Sequence, residues 1–170
     1  MNEKKSTTAP IAEEIDYSGR PFDYLDTDNQ TVMICESDPV IRQKISDALK
    51  LIEFKIIEPA TSKEALKYLS FHTFNVIVVD ENFDTGKEGV NYILKYLESL
   101  SMFIRRKIFV VLISTTFATM DYMYTYNKSV NLIINKDDIV EIGMIIKKEM
   151  EENDYFYHVF KKFYRKYVEI

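Results

Sequence analysis

The sequence predicts an α/β protein in which a five-stranded parallel sheet is doubly wound, with helices on both faces, and is followed by a C-terminal helical extension. Five apolar runs of strand length recur between residues 31 and 135. Each run is followed by a segment whose apolar residues recur at helical spacing. Strands that alternate with helices in this way form parallel sheets through right-handed crossover connections.

The five predicted strands differ in how apolar they are. The third contains the unbroken β-branched run 76–79 and ends on Asp80, which is typical of a strand buried on both faces of a sheet. The second includes Lys55 and Glu58, so we expect it at an edge. The predicted strand ranges are 31–35, 54–58, 76–80, 107–114 and 131–135.

Local capping signals mark the first two helices. Pro39 suits the first helical position, and Ser37 or Asp38 can accept hydrogen bonds from the unpaired N–H groups there. Thr61 and Glu64 form the capping-box pattern that opens the second helix.

Three further helices are predicted later in the chain. The third follows Gly89, and Asp137 or Asp138 is expected to cap the fifth. The apolar positions of the fourth helix are Phe117, Met120 and Tyr124. The inward face of the fifth helix is predicted to consist of Ile139, Ile142, Ile146 and Met150.

Composition argues against several function classes. The net charge of −5 disfavours a general nucleic-acid binder. Cys35 is the single cysteine, so no internal disulfide can form, and its apolar strand predicts a buried thiol in a reducing compartment. The first residues contain no apolar secretion signal, and the apolar runs are too short to span a membrane. These features predict a cytoplasmic protein without a membrane partner.

Polar side chains follow four of the five predicted strands. Glu36 and Ser37 follow the first, Asp80 ends the third, Ser114 ends the fourth and Lys136 follows the fifth. In open α/β sheets, ligands bind at the carboxyl ends of the strands. Clustered carboxylate oxygens suit Mg²⁺, while a lysine and a hydroxyl can bond the oxygens of an acyl phosphate formed on Asp80. The sequence therefore predicts a site for a divalent cation and a phosphoryl group.

Over residues 31 to 150 the sequence resembles the receiver domain of bacterial two-component response regulators. The resemblance rests on ICESDP after the first strand, VIVVDENFD around Asp80, the strand ending in Ser114, and LIINK ending in Lys136. It implies a flavodoxin-like strand order of 2-1-3-4-5. It also implies site roles, which are Asp80 as phosphoacceptor, Ser114 as switch hydroxyl, Lys136 as phosphate-binding lysine, and Glu36, Asp80 and the backbone carbonyl of Asn82 as metal ligands.

The sequence departs from the receiver pattern at four positions. Ser37 replaces the acid that matches the direct metal ligand, which predicts weakened Mg²⁺ binding, with Asp38 or water as a partial substitute. Ile133 replaces the aromatic switch residue, and Asp84 replaces a proline after the acceptor. Asp137 stands where the family has a cis proline, and a non-proline cis bond costs about 2.5–4 kcal/mol.

The predicted domain boundaries are 1–29 for a flexible leader, 30–150 for the receiver-like domain and 151–170 for an amphipathic C-terminal helix. The helix could be interrupted at Asn153-Asp154. Alternatively, the C-terminal segment could continue the helix that starts at Asp138 as one rod. It could pack on its own domain, pair with a second copy or a partner's groove, or lie on anionic lipid. We favour dimerisation or partner docking. The aromatic face comprises Phe156, Phe160, Phe163, Tyr164 and Tyr167.

Two functions follow from these patterns. The leading hypothesis is a stand-alone receiver-like signalling protein with impaired Mg²⁺-dependent phosphorylation of Asp80, whose partner is a histidine kinase or a downstream target. The alternative is a constitutive adaptor or scaffold that dimerises or docks through the C-terminal aromatic helix. An enzyme is not expected, because the stretch after the first strand contains no glycine for a dinucleotide loop.

Overall fold

A computed structural model describes residues 30–167 of the chain. The predicted leader at 1–29 and the last three residues of the predicted C-terminal helix lie outside the described residues.

Five parallel strands form one sheet with the order β2-β1-β3-β4-β5, which confirms the predicted fold class and strand order. Because β1 lies between β2 and β3, the chain reverses its direction of winding there, and the switch opens a crevice at the carboxyl edge. The strands are β1 (Thr31–Cys35), β2 (Lys55–Ile57), β3 (Val76–Asp80), β4 (Phe109–Ser114) and β5 (Leu132–Asn135).

Seven α-helices and two 3-10 turns are present in the described part of the chain. The short helix α4 was not predicted; it lies between α3 and β4. The helices are α1 (Pro39–Lys50), α2 (Ser62–Phe71), α3 (Tyr92–Ser99), α4 (Met102–Arg105), α5 (Tyr122–Asn127), α6 (Ile142–Phe156) and α7 (His158–Tyr167), and the 3-10 turns are Gly86–Glu88 and Lys136–Glu141. None of the described helices is long and apolar enough to cross a membrane.

The sheet separates two apolar layers. Val76 and Val78 of β3 pack on the side of α1 and α6, whereas Ile77 and Val79 pack on the side of α2 and α3. This alternation follows from the two-residue period of a strand. All five residues of β3 are buried, as expected for a central strand.

The strand register brings the predicted polar residues to one edge. Cys35 pairs with Val79, and Asp80 pairs with Ile113, the residue before Ser114. Ser114 in turn pairs with Asn135, the residue before Lys136. Glu36 and Asp80 therefore emerge at one level of the carboxyl edge, Ser114 one residue further along and Lys136 two residues further along.

The helix after β4 is shorter than predicted. It begins after Asp121, whose side chain accepts a hydrogen bond from the Tyr124 backbone N–H at 3.2 Å. Phe117 and Met120 precede the helix, and Met120 has a φ of +61°, which a helix cannot accommodate. The Met120 N–H instead donates to the Ile133 carbonyl at 2.9 Å, which ties this loop to β5.

The segment after β5 also corrects a prediction, because neither Asp137 nor Asp138 caps the helix. The Asn135 side chain accepts from the Asp137 N–H at 3.0 Å and caps a 3-10 turn, and α6 begins at Ile142. Asp138 accepts from the Thr119 hydroxyl. The predicted inward face is confirmed for Ile139, Ile142 and Ile146, which are buried, while Met150 packs against the same layer partly buried.

The helical rod breaks at Tyr157 rather than at Asn153-Asp154. The Tyr157 N–H still donates to the Asn153 carbonyl at 3.0 Å, so the turn of α6 at Asn153 is intact. The predicted boundary at residue 150 falls inside α6, and α7 forms the separate amphipathic element.

Candidate functional site

Asp80 is held in a defined orientation at the end of β3. Its Oδ1 accepts a hydrogen bond from the Asn82 N–H at 2.7 Å, and its carbonyl accepts from the Asn91 side chain at 3.0 Å. Asp80 is 3% exposed. With Oδ1 engaged by the backbone, Oδ2 is the oxygen left for another partner.

Lys136 provides that partner. Its Nζ lies 2.5 Å from Asp80 Oδ2 and 3.3 Å from Glu36 Oε2. Lys136 is the first residue of the 3-10 turn after β5, so the strand end and the Asn135 cap fix where its side chain starts. One ammonium group therefore joins residues from the ends of β1, β3 and β5.

Glu36 is also buried and oriented by the backbone. It is 1% exposed, and its Oε1 accepts from the Asp38 N–H at 2.9 Å. Its carbonyl accepts from the Arg42 guanidinium at 3.1 Å. Among the described residues, Glu36 Oε2 and Asp80 Oδ2 have no hydrogen-bond partner besides the Lys136 ammonium that they share as an ion-pair partner.

The proton affinities of this cluster reflect burial and charge. Burial raises the pKa of Glu36 above its ordinary value, the charge of Asp80 raises it further, and the Asp38 N–H and Lys136 oppose this shift in part. Burial lowers the pKa of Lys136, but the hydrogen bond to Asp80 and the charges of both acids outweigh it, so the net shift is upward. Lys136 is therefore a cation at neutral pH.

The donor atoms fit a magnesium ion in kind but are few. Glu36 Oε2 and Asp80 Oδ2 are hard oxygen donors without other hydrogen bonds, and Mg²⁺ accepts one or two carboxylates while it keeps several waters. No cluster of three or more acidic, histidine or cysteine side chains suited to a metal occurs among residues 30–167. The Asp38 carboxylate accepts from the N–H groups of Val40 and Ile41, so it is committed to capping α1.

Ser114 reaches the same edge, but its hydroxyl is hydrogen-bonded to Glu81 rather than to Asp80. The Ser114 Oγ donates to Glu81 Oε1 at 2.9 Å and accepts from the N–H groups of Thr116 and Phe117. Sequence reasoning missed Glu81. The available signal was a second carboxylate directly after Asp80, facing a neighbouring strand that ends in three consecutive hydroxyl residues.

The remaining departures from the receiver pattern have local structural explanations. Asp84 has a φ of +46°, which the ring of a proline cannot adopt, and its Oδ2 accepts from the Ser62 N–H at 2.7 Å. Ile133 is fully buried in the apolar layer on the side of α2 and α3, and its side chain has no polar tip to turn towards solvent. None of the described peptide bonds is cis, including the bond before Asp137.

A cavity of about 390 Å³ lies away from this site. Its lining includes Gln30 and Phe54, which precede β1 and β2, together with Met150 of α6. It therefore opens at the amino edge of the sheet, whereas the polar cluster lies at the carboxyl edge. We assign no role in the candidate site to this cavity.

Comparison with known proteins gives a match at the level of structure alone. No family model matches the chain, and no curated protein matches it significantly in sequence. A CheY-like response regulator receiver domain protein from Methanospirillum hungatei JF-1 has a TM-score of 0.57 at 17% identity, covering 75% of this chain and 98% of that one. A response regulator from Thermotoga maritima has a TM-score of 0.55 at 19% identity, with coverage of 72% and 98%.

A third similar structure is a response regulator protein from Burkholderia pseudomallei with a phosphorylated aspartic acid and a calcium ion. Its TM-score is 0.50 at 14% identity, covering 66% of this chain and 63% of that one. At these identities the similarity shows the fold. The chain has the fold of response regulator receiver domains, which confirms the resemblance drawn from its motifs.

Proposed function

We propose that this receiver-fold chain is a signalling protein that acts through protein–protein contacts and accepts a phosphoryl group on Asp80 with impaired efficiency. The fold supports a signalling role in two-component systems. The observation that supports Asp80 most directly is the contact of the Lys136 ammonium with both Asp80 and Glu36. Its partner would be a histidine kinase, a downstream target, or both.

The proposed reaction uses Oδ2 of Asp80, the carboxylate oxygen that the backbone does not engage. Asp80 Oδ2 attacks the phosphorus of a phosphoryl donor such as acetyl phosphate, a new P–O bond forms, and acetate leaves with the electrons of the broken bond. The Asn82 N–H holds Oδ1 and so orients the carboxylate. Lys136 would neutralise the phosphoryl oxygens, since its ammonium already lies 2.5 Å from the attacking oxygen.

Magnesium would be held by Glu36, Asp80 and the carbonyl of Asn82, and it would neutralise negative charge on the phosphoryl group. Ser37 is exposed and brings no charge to this set, while Asp38 is occupied by the α1 cap. These two features are the reasons for expecting impaired phosphorylation.

Intact-mass spectrometry after incubation with acetyl phosphate and Mg²⁺ tests this proposal. The wild type and an exposed-aspartate control, Asp47→Asn, should gain one phosphoryl mass, and chelation of Mg²⁺ should abolish the gain. Asp80→Asn should gain none. If the folded wild type never gains that mass, or if Asp80→Asn gains it equally, phosphorylation at Asp80 is refuted.

A second candidate function is a constitutive adaptor that docks through α7. Phe156 and Val159 are 78% and 73% exposed, so apolar surface is available on both sides of the Tyr157 break. The guanidinium of Arg106 lies 5.2 Å from the ring centre of Phe160, which anchors α7 beside α4.

Removal of residues 158–170 tests the adaptor function without cutting into α6. A deletion after Met150 would remove part of a helix that packs on the core, so its effect would be ambiguous. If the full chain is a dimer by light scattering and the deletion variant is a monomer, dimerisation through α7 is supported. If both have the same number of subunits, dimerisation through α7 is refuted.

A further inference from the structure

Adjacent carboxylates at the end of β3 have different partners. Asp80 contacts Lys136, whereas Glu81 accepts three hydrogen bonds from the end of β4. The donors to Glu81 Oε1 are the Ser114 hydroxyl at 2.9 Å, the Thr115 N–H at 2.9 Å and the Thr115 hydroxyl at 3.3 Å.

We propose that Glu81 is a positioning residue, a resident anion that holds Ser114 and the β4–α5 loop in one arrangement without any phosphoryl group. The inference deepens the proposed function: a phosphoryl group on Asp80 could recruit the Ser114 hydroxyl only by displacing Glu81. The Glu81 carboxylate thus accepts the Ser114 hydrogen bond that an oxygen of a phosphoryl group on Asp80 would otherwise accept.

The hydrogen-bonding capacity of Ser114 supports this inference. A serine hydroxyl has one proton to donate, and Ser114 donates it to Glu81. Its lone pairs accept from the Thr116 N–H at 3.0 Å and from the Phe117 N–H at 3.2 Å. Ser114 is fully buried. All of its hydrogen-bonding groups are therefore in use, and none is left for a new oxyanion unless Glu81 releases it.

The loop that Glu81 holds is connected to the end of β5. The Phe117 carbonyl accepts from the Asn135 side chain at 2.8 Å, and the Thr119 hydroxyl accepts from the Asn135 N–H at 2.9 Å. Asn135 directly precedes Lys136. Because the loop continues into α5, the state of Ser114 is linked to the surface formed by α5, β5 and α6.

Amide hydrogen exchange without any phosphoryl donor tests the holding role on the full-length protein. In Glu81→Gln the exchange of the Thr115, Thr116 and Phe117 amides should rise about tenfold or more, because charge-assisted hydrogen bonds are replaced by weaker neutral ones. Glu58→Gln, which removes an exposed carboxylate at the end of β2, should leave these three rates unchanged. The Asn82 amide, which bonds to Asp80, should be unaffected in both variants.

Equal rates in Glu81→Gln and Glu58→Gln would overturn the inference. Glu81→Ala provides a second variant, in which the acceptor is removed completely; if it does not fold, Glu81→Gln alone decides. Because this comparison uses no phosphoryl group, it remains decisive even if Asp80 is never phosphorylated.

Beryllofluoride with Mg²⁺, followed by NMR, tests the displacement step. Shifts at the Glu81 and Asn82 amides report binding at Asp80, and their absence would refute the proposed function instead. Where binding occurs, the Thr115 and Thr116 amides should shift more in Glu81→Gln than in the wild type. Equal shifts in the two proteins would overturn the inference.

Discussion

Two polar networks lie side by side at the carboxyl edge of the sheet, and they begin at consecutive residues. In the lysine network, Glu36, Asp80 and Lys136 share one ammonium group. In the hydroxyl network, Glu81 accepts from Ser114 and Thr115. The two networks separate at the end of β3, because the consecutive side chains of Asp80 and Glu81 point in different directions. Sharing an edge therefore brings residues close, but the direction of each side chain decides which of them meet.

Removal of its cation from the lysine network should have the largest effect on stability. Lys136→Met leaves two buried carboxylates facing each other without a counter-charge, and we expect a loss of about 3–5 kcal/mol of unfolding free energy. The exposed pair of Lys148 with Glu152, at 3.9 Å, offers the control, and Lys148→Met should cost below about 0.5 kcal/mol. Urea denaturation measures both; similar losses in the two variants would contradict a buried lysine network.

The lysine network should respond to an added acid as the receiver resemblance implies. Ser37→Asp restores the missing carboxylate beside Glu36 and should tighten Mg²⁺ binding by about tenfold, equivalent to about 1.4 kcal/mol. Titration calorimetry with Mg²⁺ measures the change. Ser101→Asp, an exposed position directly before α4 and away from the carboxyl edge, adds the same charge elsewhere, and an equal gain there would indicate general attraction rather than a ligand.

Asp84, a third carboxylate near the end of β3, belongs to neither network and has a partner in α2. Asp84 accepts from the N–H of Ser62 at the start of α2 and has a φ of +46°. Asp84→Ala removes the acceptor and retains the strained backbone, so we expect a loss of about 1–2 kcal/mol. Asp84→Asn keeps an acceptor and tolerates this φ, and it should stay within about 0.5 kcal/mol of the wild type. Thermal or urea unfolding measures both variants, and a lower stability for Asp84→Asn than for Asp84→Ala would refute this role of Asp84.

The smallest expected effect is a pH dependence that belongs to the lysine network. The folded-state pKa of Glu36 is raised, mainly by burial, so the folded protein holds this proton more tightly than the unfolded chain. Its contribution to stability is complete below the ordinary pKa of 4.5 and is lost as pH rises through the folded-state pKa. Relative to Glu36→Gln, the wild type should lose stability over that window. Urea unfolding of both proteins across it provides the measurement, and a constant difference would contradict the shift.

The sequence pattern was sufficient for the sheet and for the lysine network. Unbroken apolar runs fix which segments become buried strands, and parallel strands place Glu36, Asp80 and Lys136 at one edge whatever their rotamers. The partner of Ser114 could not be predicted in this way. Asp80 ends β3 and Glu81 follows it directly, and only side-chain direction and the local N–H donors distinguish them.

The misplaced helix starts have a similar cause. Phe117 and Met120 fit helical spacing, but the positive φ of Met120 and its bond to the Ile133 carbonyl depend on a tertiary contact. The Asn135 side chain accepts from the Asp137 N–H and caps a 3-10 turn, so the two aspartates predicted as caps lie inside that turn. Periodicity identifies the buried faces, whereas the ends of these elements depend on individual hydrogen bonds.

A pair of double-mutant cycles, both measured by urea unfolding, tests most directly whether neighbouring carboxylates serve separate networks. One cycle combines Asp80→Asn with Lys136→Met, and the other combines Glu81→Gln with Lys136→Met. We predict a coupling of about 1–3 kcal/mol between Asp80 and Lys136 and a clearly smaller one between Glu81 and Lys136. A coupling to Glu81 as large as that to Asp80, or none to Asp80, would contradict the two-network arrangement.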